Sequence, residues 1–242
     1  MGRKKINQEE IEIINDNAFQ PKIRIKGLKL SEKQKKFVDI ALDPECKIIF
    51  VSGPAGSTKT YMAVFAALKQ LRQDGELDLL YVRTAIESAE KGLGALPGTI
   101  EDKFNPYMAP LEDKLDEMLP KTTTIKQELI KSGRVQAMPI NFLRGASWLN
   151  KIVIADESQN FTFRELVTLI TRIGEGTKLF VCGDTMQSDI NGKSGFESMC
   201  RLFTDAASKR KGIEYFEFDE NDIKRSNLLK FIVSKLNSKK KV

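Results

Sequence analysis

The chain of 242 residues contains no histidine, three cysteines and a single tryptophan. Without histidine there is no imidazole base for a nucleophilic triad and no histidine-containing zinc site. Chemistry on this chain must therefore run on carboxylates, lysine, arginine and Mg2+. Cys46, Cys182 and Cys200 show no metal-ligand spacing, and two lie in or beside predicted strands, which predicts buried thiols rather than a disulfide or a ligand set. No apolar run approaches the roughly 18 residues that a membrane span requires. The first residues, Met1-Gly-Arg-Lys-Lys-Ile-Asn-Gln-Glu-Glu, lack the hydrophobic stretch of a signal peptide, and Ile6 stands where myristoylation wants Ser or Thr. A cytoplasmic protein with no membrane partner is expected. Internal repeats, long linkers and aromatic-rich RNA-binding motifs are also missing.

What is present suits one α/β unit, with 41% apolar and 30% charged residues over a length that can bury a full core. The formal charge of +6 suits a polyanionic partner without establishing one. Part of that excess sits in Arg3-Lys4-Lys5 and Lys239-Lys240-Lys241, tails of a kind that is usually solvated. Residues 1–27 read as a polar, partly disordered arm, 28–237 as the folded domain and 238–242 as a basic tail. Short, nearly continuous apolar runs predict strands at 47–51, 78–82, 135–139, 151–155, 178–182 and 213–218. Helical periodicity appears at 32–42, 59–72, 111–119, 162–173, 195–207 and 222–236. Such alternation predicts a mostly parallel sheet with helices on both faces. Residues 91–133, rich in Gly, Pro and charge, read as an excursion that leaves the sheet and returns.

The most informative stretch is Gly53-Pro54-Ala55-Gly56-Ser57-Thr58-Lys59-Thr60, which comes after the strand at 47–51 and runs into the helical pattern of Tyr61 to Leu68. Strand, glycine-rich loop and helix in that order are the context of a phosphate-binding loop. Gly53 and Gly56 let backbone N–H groups curl around a polyphosphate, Lys59 reaches the terminal phosphates, and the Thr60 hydroxyl holds Mg2+. The dipole of the next helix adds to the site. Thr58 stands where the pattern has its second glycine. Two consequences are open: the loop tolerates the side chain at some cost in affinity, or the site binds nucleotide without turning it over.

The strand at 151–155 ends in Asp156-Glu157, and as a neighbour of the phosphate-loop strand it would deliver both carboxylates beside the phosphates. Asp156 is then placed to hold Mg2+ through water and Glu157 to polarise an attacking water, with helix capping as the competing role. The strand at 178–182 ends in Gly183-Asp184-Thr185-Met186-Gln187, where Gln187 is placed to sense a γ-phosphate and Gly183 also fits a simple turn. Gln34 fits either a hydrogen bond to an adenine edge or an ordinary exposed helix position. Arg83, Arg144, Arg172 and Arg225 are candidate arginine fingers, with Arg225 and Arg172 ahead by position and surface ion pairing as the competing role.

Together these blocks resemble the PhoH family, phosphate-starvation-inducible ATPases related to the core of superfamily-one helicases. The resemblance runs from about Leu28 to Val233. It includes the loop at 53–61, Gly92-Leu93-Gly94-Ala95-Leu96-Pro97-Gly98, Lys103-Phe104-Asn105-Pro106-Tyr107 and Phe142-Leu143-Arg144-Gly145. It is most specific at Asp156-Glu157-Ser158-Gln159-Asn160, at Leu169-Ile170-Thr171-Arg172-Ile173-Gly174-Glu175-Gly176 and at Gly183-Asp184-Thr185-Met186-Gln187-Ser188-Asp189. It implies a P-loop NTPase fold with a RecA/helicase-like core, ATP as ligand and Mg2+-dependent hydrolysis. Lys59, Glu157, Gln187 and Arg225 then fall in catalytic roles, and Thr60 and Asp156 at the metal. Gly53, Pro54, Ala55, Gly56, Ser57, Thr58, Tyr61, Gln34 and Arg172 fall around the nucleotide. Ser158, Thr84 and Ser226 also depart from the family pattern, but only Thr58 bears on hydrolysis. The chain looks like the minimal form often seen in bacteriophages, whose compartment would be the host cytoplasm.

The leading expectation is an ATPase acting on single-stranded nucleic acid, RNA favoured over DNA. A nucleotide-gated binding or scaffold protein with little turnover is the alternative. A small-molecule kinase fits the loop but not the Asp156-Glu157 and Gly183-Asp184-x-x-Gln187 pair. Full helicases place ATP between two such domains. One domain therefore predicts head-to-tail self-association into a ring, six copies favoured, with an arginine supplied in trans.

Overall fold

The computed structural model describes residues 22–84, 100–143, 147–185, 187, 190, 192–224 and 227–239. The block at 92–98 and the candidate fingers Arg144 and Arg225 lie outside the described residues. Six strands, β1 (Ile48–Ser52), β2 (Asp78–Arg83), β3 (Val135–Pro139), β4 (Lys151–Ala155), β5 (Lys178–Gly183) and β6 (Ile213–Glu217), form one sheet in the order β3-β2-β4-β5-β1-β6. Every paired neighbour runs parallel.

Side chains alternate across the sheet, so each central strand feeds two cores. Ile49 and Val51 of β1 join one core with Tyr81, Ile154 and Phe180, while Ile48 and Phe50 join the other with Leu80, Val153 and Val181. That two-sided burial is why these strands read as continuous apolar runs. The first face is covered by α1 (Glu32–Leu42), α2 (Lys59–Gln73), α3 (Ile100–Met118) and α4 (Ile125–Lys131). The second face carries α5 (Phe163–Ile170) and α6 (Phe196–Leu202). Of two further helices, α7 (Ala206–Arg210) packs beside β6, and α8 (Asn227–Lys239) packs against the 3-10 turn at Glu220–Asp222 that follows it. Trp148 is buried in the second core, a packing role, and all three cysteines are buried free thiols.

Several expectations are corrected. β4 does not adjoin β1, because β5 lies between them. All pairs are parallel, so the C-terminal ends of β1, β4 and β5 still share one edge. The helix at 111–119 extends back through Pro106 and Pro110 to Ile100. Each proline removes one helix donor, but the buried stripe Tyr107, Leu111, Leu115 and Met118 holds the segment against the sheet. α4 lies within the expected excursion. The helix at 195–207 is two helices, because the Asp205 carboxylate accepts from Ser208 N at 2.7 Å and starts a new one. The last helix begins at Asn227, after a 3-10 turn at Glu220–Asp222. Within the expected arm, Ile23 is buried against the first core and Lys26 N donates to Met118 O at 2.8 Å. Among the described residues no helix is long and apolar enough to cross a membrane.

Candidate nucleotide site

Between β1 and α2 the chain takes three left-handed residues, Gly53 (φ 153°), Gly56 (φ 77°) and Thr58 (φ 70°). Gly53 is also required sterically, since a Cβ there would sit 2.6 Å from Phe218 O and 2.8 Å from Ser57 Oγ. Thr58 occupies backbone space that a β-branched residue avoids, at a cost of about 1–3 kcal/mol. It stands at the N-cap of α2 yet makes no side-chain cap, which leaves the first-turn amides of α2 facing the loop. Its Oγ1 instead accepts from Gln34 Nε2 at 3.1 Å. Ser57 Oγ is buried beneath the loop with no hydrogen-bond partner. Lys59 Nζ folds back to donate to Gly53 O at 2.6 Å and Pro54 O at 2.9 Å. Burial lowers the pKa of this ammonium, while the Asp184, Glu157 and Asp156 carboxylates act in the opposite sense.

Asp156 comes off the end of β4 with 5% exposure. One carboxylate oxygen accepts from the Thr60 hydroxyl and the other from the Tyr81 hydroxyl. Tyr81 is fully buried on β2, and burial together with the Asp156 charge pushes its phenol pKa far up, which keeps it a donor. Glu157 is next, in a left-handed conformation, φ 53°. Gln159 Nε2 donates to its carboxylate at 2.6 Å, and the Arg83 guanidinium lies 3.9 Å away. Gln159 Oε1 accepts from Asp184 N at 3.0 Å, so one amide ties the end of β4 to the end of β5.

These groups line a cleft of about 700 Å³. It brings together Gln34, Ala55, Gly56, Thr58, Lys59, Thr60, Tyr61, Asp156, Glu157 and Gln187 of the expected set. Gly53, Pro54 and Ser57 form the back of the loop. Arg172 is not brought there. Its carbonyl accepts from Trp148 N ahead of β4 and β5, at the sheet edge opposite the phosphate loop. Tyr81, Gln159 and Asp184 complete the site, and α3 adds Asp113, Lys114 and Glu117 as a further wall. The one sequence signal for Tyr81 is a hydroxyl inside the otherwise apolar run Leu79-Leu80-Tyr81-Val82, since a buried tyrosine needs a polar partner. On the far side Lys224 lines the cleft and its backbone N donates to Gly56 O at 3.3 Å.

A parallel sheet in which β1 breaks into a glycine loop, with Thr60 of α2 meeting Asp156 just past β4, defines a P-loop NTPase core. Within that class the chain belongs to the PhoH family, whose model for "PhoH-like protein" matches residues 25–237. The chain is 34% identical over 200 residues to the PhoH-like protein of Mycobacterium tuberculosis, covering 83% of this chain and 55% of the relative. It is 32% identical over 222 residues to that of Bacillus subtilis, covering 92% and 66%. To Protein PhoH of Escherichia coli the identity is 32% over 176 residues, covering 72% and 46%. The chain thus spans about half to two-thirds of the length of these curated relatives. Among solved structures it is similar to the Pif1 helicase of Candida albicans, at 15% identity and a TM-score of 0.40 over 80% of this chain and 40% of that one. The helicase MrfA bound to DNA gives 12% identity and a TM-score of 0.42, covering 90% and 35%.

Proposed function

We propose that the chain is a Mg2+-dependent ATPase that acts on single-stranded nucleic acid, RNA favoured over DNA. The observation that carries this reading is the contact between the Thr60 hydroxyl and the Asp156 carboxylate directly beside the Lys59 ammonium. One hydroxyl and one carboxylate suit Mg2+, which keeps most of its waters and shares the remaining positions with substrate phosphates. The left-handed Gly56 and the uncapped first turn of α2, both on the cleft, fit an anion held by backbone amides. When bound, Mg2+ neutralises charge developing on the β- and γ-phosphates. Lys59 exchanges the Gly53 and Pro54 carbonyls for phosphate oxygens. Glu157, steadied by Gln159, accepts a proton from the water that attacks the γ-phosphorus, Gln187 orients that water, and the bond to the ADP oxygen breaks.

The formal charge of +6 supports a polyanion partner. The folded unit is taken as 28–237, with Ile23 and Lys26 of the polar arm packed onto it and a basic tail after it, in the cytoplasm. Self-association into a ring, six copies favoured, brings Arg225 to a neighbour's site as the finger. A finger acting within one chain is the second reading, favoured because Lys224, the residue before it, lines its own chain's cleft. Mixing Lys59→Ala with Arg225→Ala subunits restores activity only in the first case.

Phosphate release from ATP, measured with Mg2+ alone and with RNA or DNA oligomers, tests the function. The expected result is turnover that single-stranded RNA stimulates more than DNA, and that Glu157→Gln abolishes while still binding ATP. Binding without any turnover would favour the nucleotide-gated scaffold, a reading that the strained Thr58 supports.

A further inference from the structure

Thr58 and Gln34 are joined although they lie 24 residues apart, and Thr58 is the position where the loop departs from glycine. Gln34 is 5% exposed and rigidly held. Its Oε1 accepts from Ser31 N at 3.0 Å, and its own N donates to Ser31 Oγ at 3.2 Å. That reciprocal pair fixes the first turn of α1 and leaves Nε2 pointing to the Thr58 hydroxyl. α1 is in turn tied to the segment after β6, where Lys33 Nζ reaches Asp219 at 2.6 Å and Asp222 at 3.1 Å. The same segment returns to the loop through Lys224 N and Gly56 O, 3.3 Å apart. The phosphate loop is therefore gripped at Thr58 from α1 and at Gly56 from the β6 side, and an ion pair closes the circuit.

We propose that the Gln34–Thr58 hydrogen bond is a latch that pre-organises the phosphate loop, which makes Gln34 a positioning residue for the phosphates. The inference rests on the reading of the cleft as a nucleotide site. A threonine at φ 70° relaxes toward ordinary backbone unless something holds it, and relaxation turns the amides of residues 58–60 away from a bound phosphate. Gln34 supplies the restraint, because the hydroxyl that would otherwise cap α2 is turned toward it. A loop already held in its binding geometry pays no ordering cost when the anion arrives. A glycine at position 58 adopts the same backbone without strain and has no use for the latch.

Inorganic tripolyphosphate is the discriminating ligand, since it carries the phosphates without a base. Its affinity and that of ATP are measured by calorimetric titration of the parent, Gln34→Ala, Thr58→Gly and the double variant. The latch predicts that Gln34→Ala weakens tripolyphosphate binding by about three- to tenfold, the size of one hydrogen bond. In the Thr58→Gly background the same change should have no effect on tripolyphosphate. A glutamine that only reads a base weakens ATP and leaves tripolyphosphate untouched, and that result would overturn the proposal. An equal loss in both backgrounds would overturn it as well. Thr58→Ala attacks the contact from the other side while sparing the α1 cap. It must reproduce the loss even if Gln34→Ala fails to fold, and parent-like affinity there contradicts the latch. A parent protein that binds neither ligand would instead refute the nucleotide reading, and the latch with it.

Discussion

At Asp156 the Thr60 hydroxyl meets one carboxylate oxygen and the Tyr81 hydroxyl the other, so the group reaches the cleft already oriented. Tyr81→Phe removes one of those donors and keeps the ring's packing. If Asp156 holds Mg2+ as proposed, a residue that orients it typically matters by 10–100-fold in metal affinity. Titrating Mg2+ into the ATP-bound protein should therefore show an affinity about tenfold lower in Tyr81→Phe, with Mg2+-free ATP binding unchanged. Equal Mg2+ affinities would show that Thr60 alone orients the carboxylate. Lys59, Thr60 and Asp156 were legible in the sequence because a strand-end position next to a glycine loop constrains residue type. Tyr81 was not, because one phenolic oxygen in a buried strand leaves no mark on hydrophobic periodicity. Gln34 was half legible: Ser31-x-x-Gln34 is a capping-box pattern, but only the fold reveals that its amide meets Thr58.

α1 is the element on which the loop's geometry depends, and two lysines anchor it. Lys178, at the buried start of β5, donates to Ala41 O at 2.6 Å and Asp43 O at 2.7 Å, at the C-terminus of α1. Burial lowers its pKa, yet the helix-end carbonyls are partners that favour an ammonium. Lys178→Met should cost about 1.5–3 kcal/mol, read as a thermal midpoint lower by roughly 4–10 °C. A midpoint within a degree of the parent would mean that water replaces the ammonium. Lys33 anchors the other end of α1. Its hydrogen bond holds the Asp219 carboxyl below the ordinary 3.8, while the Lys33 pKa is raised above 10.5 because its bonds to Asp219 and Asp222 outweigh its desolvation. The pair's contribution is thus present above pH 3.8, is lost as pH falls through the depressed Asp219 value, and is also lost as pH rises through the raised lysine value. Being half exposed, it is worth at most about 1 kcal/mol. Lys33→Met should lower the midpoint by about 1–4 °C at pH 7. Once pH has fallen below the depressed Asp219 value the two proteins should melt together. A difference that persists in acid would assign the effect to packing of the lysine stem. The strands were legible to within about a residue because parallel strands covered on both faces must be apolar throughout. The order of strands was not, since it is set by which helices cross which face. The start of α3 was hidden by prolines whose local cost the buried stripe outweighs.

The whole molecule works as a single edge. Three parallel strands, β4, β5 and β1, end side by side, and the residues just past their C-terminal ends (Asp156-Glu157, Asp184 and the loop at 53–60) open on the same cleft. No one of these segments makes a site. Lys59 Nζ donates to its own loop carbonyls, and Asp156 without Thr60 is a strand-end acid like many others. The architecture therefore predicts that nucleotide binding is the property most sensitive to this edge. Calorimetric titration of Mg-ATP into the parent protein and into Lys59→Ala is the sharpest test of that dependence. The parent should show one saturable site per chain, and the variant a loss of roughly 10- to 150-fold in affinity, the worth of a charge-assisted hydrogen bond. A folded Lys59→Ala protein that binds Mg-ATP as tightly as the parent would contradict the assignment of this edge as the nucleotide site.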